Sequence, residues 1–116
     1  MRCVGHCMEH LRGVQRGTFQ RLLKRFNADK GVTIEQVEPL FSKVGLKLKL
    51  ILPGFKTLKD AAVELANGRY FAVVRQPEGL HGVVLTLTDD SADIWDWAVG
   101  NNSDKPLIKI WKVIEK

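Results

Sequence analysis

The chain has 116 residues, 45% hydrophobic and 27% charged, the length and composition of one globular domain with a modest core. Ten Gly and four Pro are too few for a collagen-like or linker-like chain, and no apolar run approaches the roughly 20 residues that a membrane helix needs. The 18 basic and 13 acidic residues leave a net charge of +5 that is unevenly spread: residues 1–60 carry 12 basic and 5 acidic side chains, residues 61–116 carry 6 and 8.

At the N-terminus, Met1-Arg2-Cys3-Val4-Gly5-His6-Cys7 has a basic residue but no apolar stretch behind it, so a cleavable secretion signal is not expected and the protein reads as cytoplasmic. Cys3 and Cys7 are too close to staple a fold and are expected as thiols. Val4, Cys7, Met8, Leu11 and Val14 recur at helical spacing, which predicts a first helix from about Cys3 to Gln15 that Gly13 and Gly17 help to end. Phe19, Leu22, Leu23 and Phe26 define a second helix, closed by residues 27–31. Thr33 and Gln36 form a capping box for a third helix that runs to Val44 and stops at Gly45. Leu46, Leu48, Leu50 and Leu52 then alternate with Lys47, Lys49 and Ile51, the period of a half-exposed strand that ends at Pro53-Gly54. Thr57 and Asp60 open a short helix over Leu58, Ala61, Ala62 and Leu65, which Asn67-Gly68 terminates.

From Tyr70 onward the pattern changes to β-rich runs, 70–75, 81–88, 92–98 and 107–114, separated by turn residues. Antiparallel pairing is the natural consequence, with Asp89-Asp90 as a two-residue hairpin loop. The expected architecture is α+β: N-terminal helices packed on a small antiparallel sheet, with residues 1–116 forming one domain.

A cysteine hydrolase needs a thiolate, an imidazole to exchange protons with it and a third group to orient the imidazole. Cys3 at a helix start is favourably placed, because the unpaired amides and the helix dipole there lower a thiol's pKa. Cys7, one turn deeper on the apolar stripe, reads as packing. His81 opens a strand. If Thr88 pairs with Ser91, Val83 lies opposite Asp96, and strand alternation puts Asp96 on the face of His81 while Asp93 points away. Asp96 is then the carboxylate that holds the imidazole. Trp111 reads as core, and the tryptophans flanking Asp96, Trp95 and Trp97, as packing along a sheet edge.

The order of a cysteine on a first helix, a histidine opening a later strand and an acid at the end of the next strand resembles papain-like cysteine peptidases. The likeness is strongest to the small leader-peptide-processing domains of bacteriocin transporters, in Val44-Gly45-Leu46-Lys47, Thr57-Leu58, the strand Arg69 to Val74, Leu80-His81-Gly82-Val83-Val84-Leu85 and Ile94-Trp95-Asp96. A second likeness, to the josephin deubiquitinases, lies in Cys3-Val4-Gly5-His6-Cys7-Met8. The resemblance implies a papain-like fold and a peptidase or amidase activity on a peptide or protein substrate. Cys3 would be the nucleophile, His81 the general base and acid, and Asp96 the orienting group. Both families place a glutamine five or six residues before the cysteine, where it helps to form the oxyanion hole; only Met1 and Arg2 precede Cys3 in this sequence. Losing one such donor typically costs about 10² to 10³ in rate. Gln76, near the histidine strand, is the substitute the sequence offers.

Two other readings compete. Cys3, His6, Cys7 and His10 fall within a helical arc of about 100°, but one helix rarely supplies four corners of a tetrahedron and no second ligand cluster exists, so no metal or cofactor is expected. The other is a catalytically silent papain-like module whose basic N-terminal half binds a protein or nucleic-acid partner. Arg12, Arg16, Arg21, Lys24 and Arg25 have no aromatic residues alternating with them, which weighs against nucleic acid. No lipidation signal or membrane association is expected.

Overall fold

The structure, a computed structural model, describes residues 4–26, 31–51, 54–96 and 104–115. Helix α1 (Val4–Arg12) turns Val4, Cys7, Met8 and Leu11 to one side, where all four are buried. It ends three residues earlier than its periodicity suggests, because Gly13 takes a left-handed φ of +68° and its N–H closes back on the His10 carbonyl at 3.2 Å. Helix α2 (Gln20–Arg25) presents Leu22 and Leu23 inward. It lies close to α1 because Gly5 has no side chain: a Cβ there would stand 2.6 Å from Leu23 Cδ1. Helix α3 (Ile34–Lys43) is opened by the Thr33 N–H donating to Gln36 Oε1 at 2.9 Å. The same glutamine's amide donates to the Phe26 carbonyl at 3.2 Å, tying α3 to the end of α2. Gly45, at φ +81°, then turns the chain into β1 (Leu46–Leu50), which ends before Ile51; Leu52 of the alternating run lies outside the described residues.

Helix α4 (Leu58–Glu64) carries the expected reciprocal cap: Asp60 N–H to Thr57 Oγ1 and Thr57 N–H to Asp60 Oδ2, both 3.2 Å. Strands β2 (Gly68–Gln76), β3 (Gly79–Leu87), β4 (Ala92–Trp95) and β5 (Leu107–Glu115) complete a fully antiparallel sheet in the order β1-β5-β2-β3-β4. The central strands β2 and β3 have continuous buried runs, Tyr70 to Val74 and His81 to Leu85, because both faces of the sheet are covered. The edge strand β1 exposes Lys47 and Lys49, charges that discourage pairing with another chain's edge.

Each face has its own core. On one, α1 and α3 bury Cys7, Met8, Val37, Leu40 and Phe41 against Phe71, Val73, Val84 and Trp111, and α2 contributes Leu22 and Leu23. The Phe71 ring lies 4.9 Å from Phe41 and 5.7 Å from Trp111, centroid to centroid, so the helices grip the sheet through aromatic contacts. On the other face, α4 packs Leu58 and Ala61 with Tyr70, Ala72, Val83, Leu85 and Ile110. Each fully buried side chain of this size stabilises the fold by about 1.5–3 kcal/mol. No helix among the described residues is long and apolar enough to cross a membrane.

Candidate functional site

The hairpin joining β3 to β4 determines where the acid meets the histidine. Thr88 N–H donates to the Ser91 carbonyl at 2.9 Å, and Ser91 N–H donates to Thr88 Oγ1 at 3.1 Å, which closes a loop of only Asp89 and Asp90. The register that follows pairs Leu87 with Ala92 and Val84 with Trp95. Its next step sets Asp96 beside Val83, so Asp96 is the diagonal neighbour of His81 on the same face, a separation that long side chains span. His81 Nε2 lies 2.5 Å from Asp96 Oδ1, and the two side chains are only 4% and 6% exposed. The expectation that Asp96 shares a face with His81 is met. Asp93 lies on the opposite face with Trp95, near His10.

A carboxylate only accepts, so Nε2 carries the hydrogen in this bond and Nδ1 is the ring nitrogen that holds the lone pair. The arrangement fixes both the tautomer and the orientation of the imidazole, two properties that a proton-transfer group needs. Gln76 belongs to the same corner. His81 pairs with Val74 across β2 and β3, while Gln76, two residues on from Val74, pairs with Gly79. Alternation therefore puts Gln76 on the His81 face, diagonal to it.

Cys3 lies outside the described residues, as do Trp97 and Ala98 at the end of the expected run 92–98. Cys7 is fully buried in the helical core, as its place on the apolar stripe suggests. The face of His81 and Asp96 is the one that carries α4, whereas α1 packs on the reverse face.

A second polar cluster, which sequence reasoning did not anticipate, lies along α1. Glu9 is buried, its Oε1 3.2 Å from His6 Nδ1 and its Oε2 accepting the Phe19 N–H at 3.0 Å. The carboxylate thus takes up an orphan amide just before α2, a helix whose own N-cap, Phe19, has no polar side chain. That missing cap was the available signal. Next to it the His10 ring stacks on Trp95 with centroids 4.2 Å apart and planes 12° from parallel. Partial burial, helped by the positive charge of Arg69 and opposed by Asp93, lowers the His10 pKa from its ordinary value. His6, Glu9, His10, Val14, Arg16 and Trp95 enclose a shallow cavity of about 140 Å³. Of the possible ligands along the first helix, Cys7 lies in the core, His6 and His10 are occupied in this way, and Cys3 lies outside the described residues. Among the described residues no three His, Cys, Asp or Glu side chains converge to hold a metal ion.

An apolar cavity of about 150 Å³ is lined by Leu50, Ile51, Phe55 and residues 107–110 of β5. It opens where the β2–β5 register shifts at Val73/Val74. No known family model matches the chain, and no curated protein or solved structure matches it either.

Proposed function

We propose that the protein is a cysteine hydrolase of papain-like type that acts on a peptide or amide bond through Cys3, His81 and Asp96. The observation that carries the reading is the buried His81–Asp96 pair, 2.5 Å apart; because α1, which follows Cys3 in the chain, packs on the reverse face of the sheet, the reading requires the thiol to meet Nδ1 round the end of β3. Taking a charge-bearing pair out of water is costly, and apolar residues of similar volume often serve stability as well or better. Chemistry is a reason to keep it.

In this mechanism the Cys3 thiolate attacks the carbonyl carbon of the substrate and a C–S bond forms. His81, protonated at Nδ1, hands its proton to the leaving amine as the C–N bond breaks. Water, deprotonated by the same nitrogen, then splits the acyl-enzyme, releases the acid and restores the thiol. Asp96 holds the ring in place and stabilises the imidazolium. Gln76 lies on the same face as His81, and the reading gives it the oxyanion role that the families the sequence resembles give to a glutamine ahead of the cysteine. Deamidation of a glutamine side chain in a protein uses the same parts.

The test is a peptide vinyl sulfone, which captures an activated thiolate as a thioether. Peptide mapping should find the adduct at Cys3 and not at Cys7, and His81→Ala should slow its formation by about 10²-fold or more. An adduct that forms equally fast in the variant, or no adduct at all in the folded wild type, overturns the reading.

A further inference from the structure

The exposed surface from the end of α1 through α2 carries five arginines and lysines, Arg12, Arg16, Arg21, Lys24 and Arg25, and no acidic side chain between Glu9 and Phe26. Glu9 itself is buried and satisfied by His6 and Phe19. On α2, Arg21, Lys24 and Arg25 stand at i, i+3 and i+4, so they share the outer face, while Leu22 and Leu23 pack inward. Among the described residues, none of Arg12, Arg21, Lys24 and Arg25 has a carboxylate within ion-pairing distance. Lys43, from the end of α3, extends the patch: its Nζ lies 5.9 Å from the centre of the Phe26 ring at the end of α2.

From this we infer that the α2 surface docks an acidic polypeptide segment, with Arg21, Lys24 and Arg25 as its principal contacts. Unneutralised like charges within one or two turns repel one another and gain from an anionic partner that neutralises them. Two features favour a polypeptide over a nucleic acid. Among the described residues Phe26 is the aromatic ring beside Arg21, Lys24 and Arg25, and Lys43 already stands over it, which leaves bases a poor platform there. A regular phosphate track also needs an unbroken positive stripe, whereas the adjoining helix α3 exposes Glu35 and Glu38 before it reaches Lys43. An acidic peptide chooses its own spacing, and carboxylates at i, i+3 and i+4 of a partner helix match the α2 cations. The patch belongs to the helical layer, on the other side of the sheet from His81 and Asp96, so the inference does not depend on the proposed chemistry.

The experiment is fluorescence anisotropy of the full chain with a labelled twelve-residue glutamate-rich peptide and with a single-stranded oligonucleotide of equal charge, in 50 and 200 mM salt. The peptide should bind about tenfold or more tighter than the oligonucleotide, and weaken as salt rises. The triple reversal Arg21→Glu/Lys24→Glu/Arg25→Glu should weaken peptide binding at least about tenfold. The neutral triple Arg21→Gln/Lys24→Gln/Arg25→Gln should give an intermediate loss, with circular dichroism confirming that both variants are folded. Binding of the oligonucleotide as tight as or tighter than that of the peptide, no binding of either at 50 mM salt, or peptide binding unchanged in the folded triple variants overturns the inference.

Discussion

Asp96→Ala removes the acceptor of the His81 Nε2–H bond but leaves the ring in place, 3% exposed, with almost no access to water. A buried donor left unmet costs about 1–3 kcal/mol, and more where the lost partner was charged. The expected loss for Asp96→Ala is therefore about 2–4 kcal/mol. His81→Leu should lose a comparable amount, because it takes a hydrogen-bond donor away from a carboxylate that is 6% exposed. The double variant His81→Leu/Asp96→Leu removes both partners of this bond together and fills the space with apolar atoms, so it should lie within about 1 kcal/mol of the parent. Urea unfolding followed by circular dichroism measures all four proteins, and an unchanged slope would show that the midpoints report stability alone. Against a total of about 5–15 kcal/mol for a domain, each single variant remains folded enough to measure. Losses below about 0.5 kcal/mol in both single variants, or losses that simply add in the double, would refute the reasoning that this is a costly buried pair.

Glu9→Ala should cost about 1–3 kcal/mol by stranding the Phe19 amide, and hydrogen exchange at Phe19 should speed up first. In an NMR titration His10 should show a midpoint below 6.5; Arg69→Gln should raise it and Asp93→Asn should lower it further. Because the folded His10 pKa is depressed, its contribution to stability is present above pH 6.5 and is lost as pH falls through the folded value, a dependence that His10→Gln should remove from the unfolding curves. Thr57→Ala breaks the reciprocal cap of α4 and should cost about 0.5–2 kcal/mol in the same assay, with Asp60→Ala not adding fully to it.

The parts of the fold legible in the sequence are those set by local chemistry. Thr57 with Asp60, Gly13 and Gly45 mark helix ends through capping and left-handed backbone, and each does so in the structure. The two-residue Asp89-Asp90 loop carried more weight, because hairpin length determines register and register brings Asp96 to His81. Long-range pairing was not legible. Nothing local in Leu46 to Leu50 says that it joins the last strand, with Leu48 opposite Val113. Glu9 was invisible for a related reason: it stands beside the apolar stripe of α1 and becomes buried only because α2 folds back and offers it the Phe19 amide. The His10 and Trp95 stack likewise depends on α1 packing over β3 and reaching the neighbouring strand at Trp95, a tertiary choice that periodicity does not encode.

The most direct test of the account is the rate at which iodoacetamide alkylates Cys3, resolved from Cys7 by peptide mapping, between pH 5 and 9 in the wild type, His81→Ala and Asp96→Asn. The account predicts fast labelling of Cys3 well below the ordinary thiol midpoint of about 8.5, slowed about tenfold or more at pH 6 in His81→Ala and to a lesser extent in Asp96→Asn. Labelling that rises with a midpoint near 8.5 and is the same in all three proteins would contradict a thiolate held by His81, and with it the hydrolase reading.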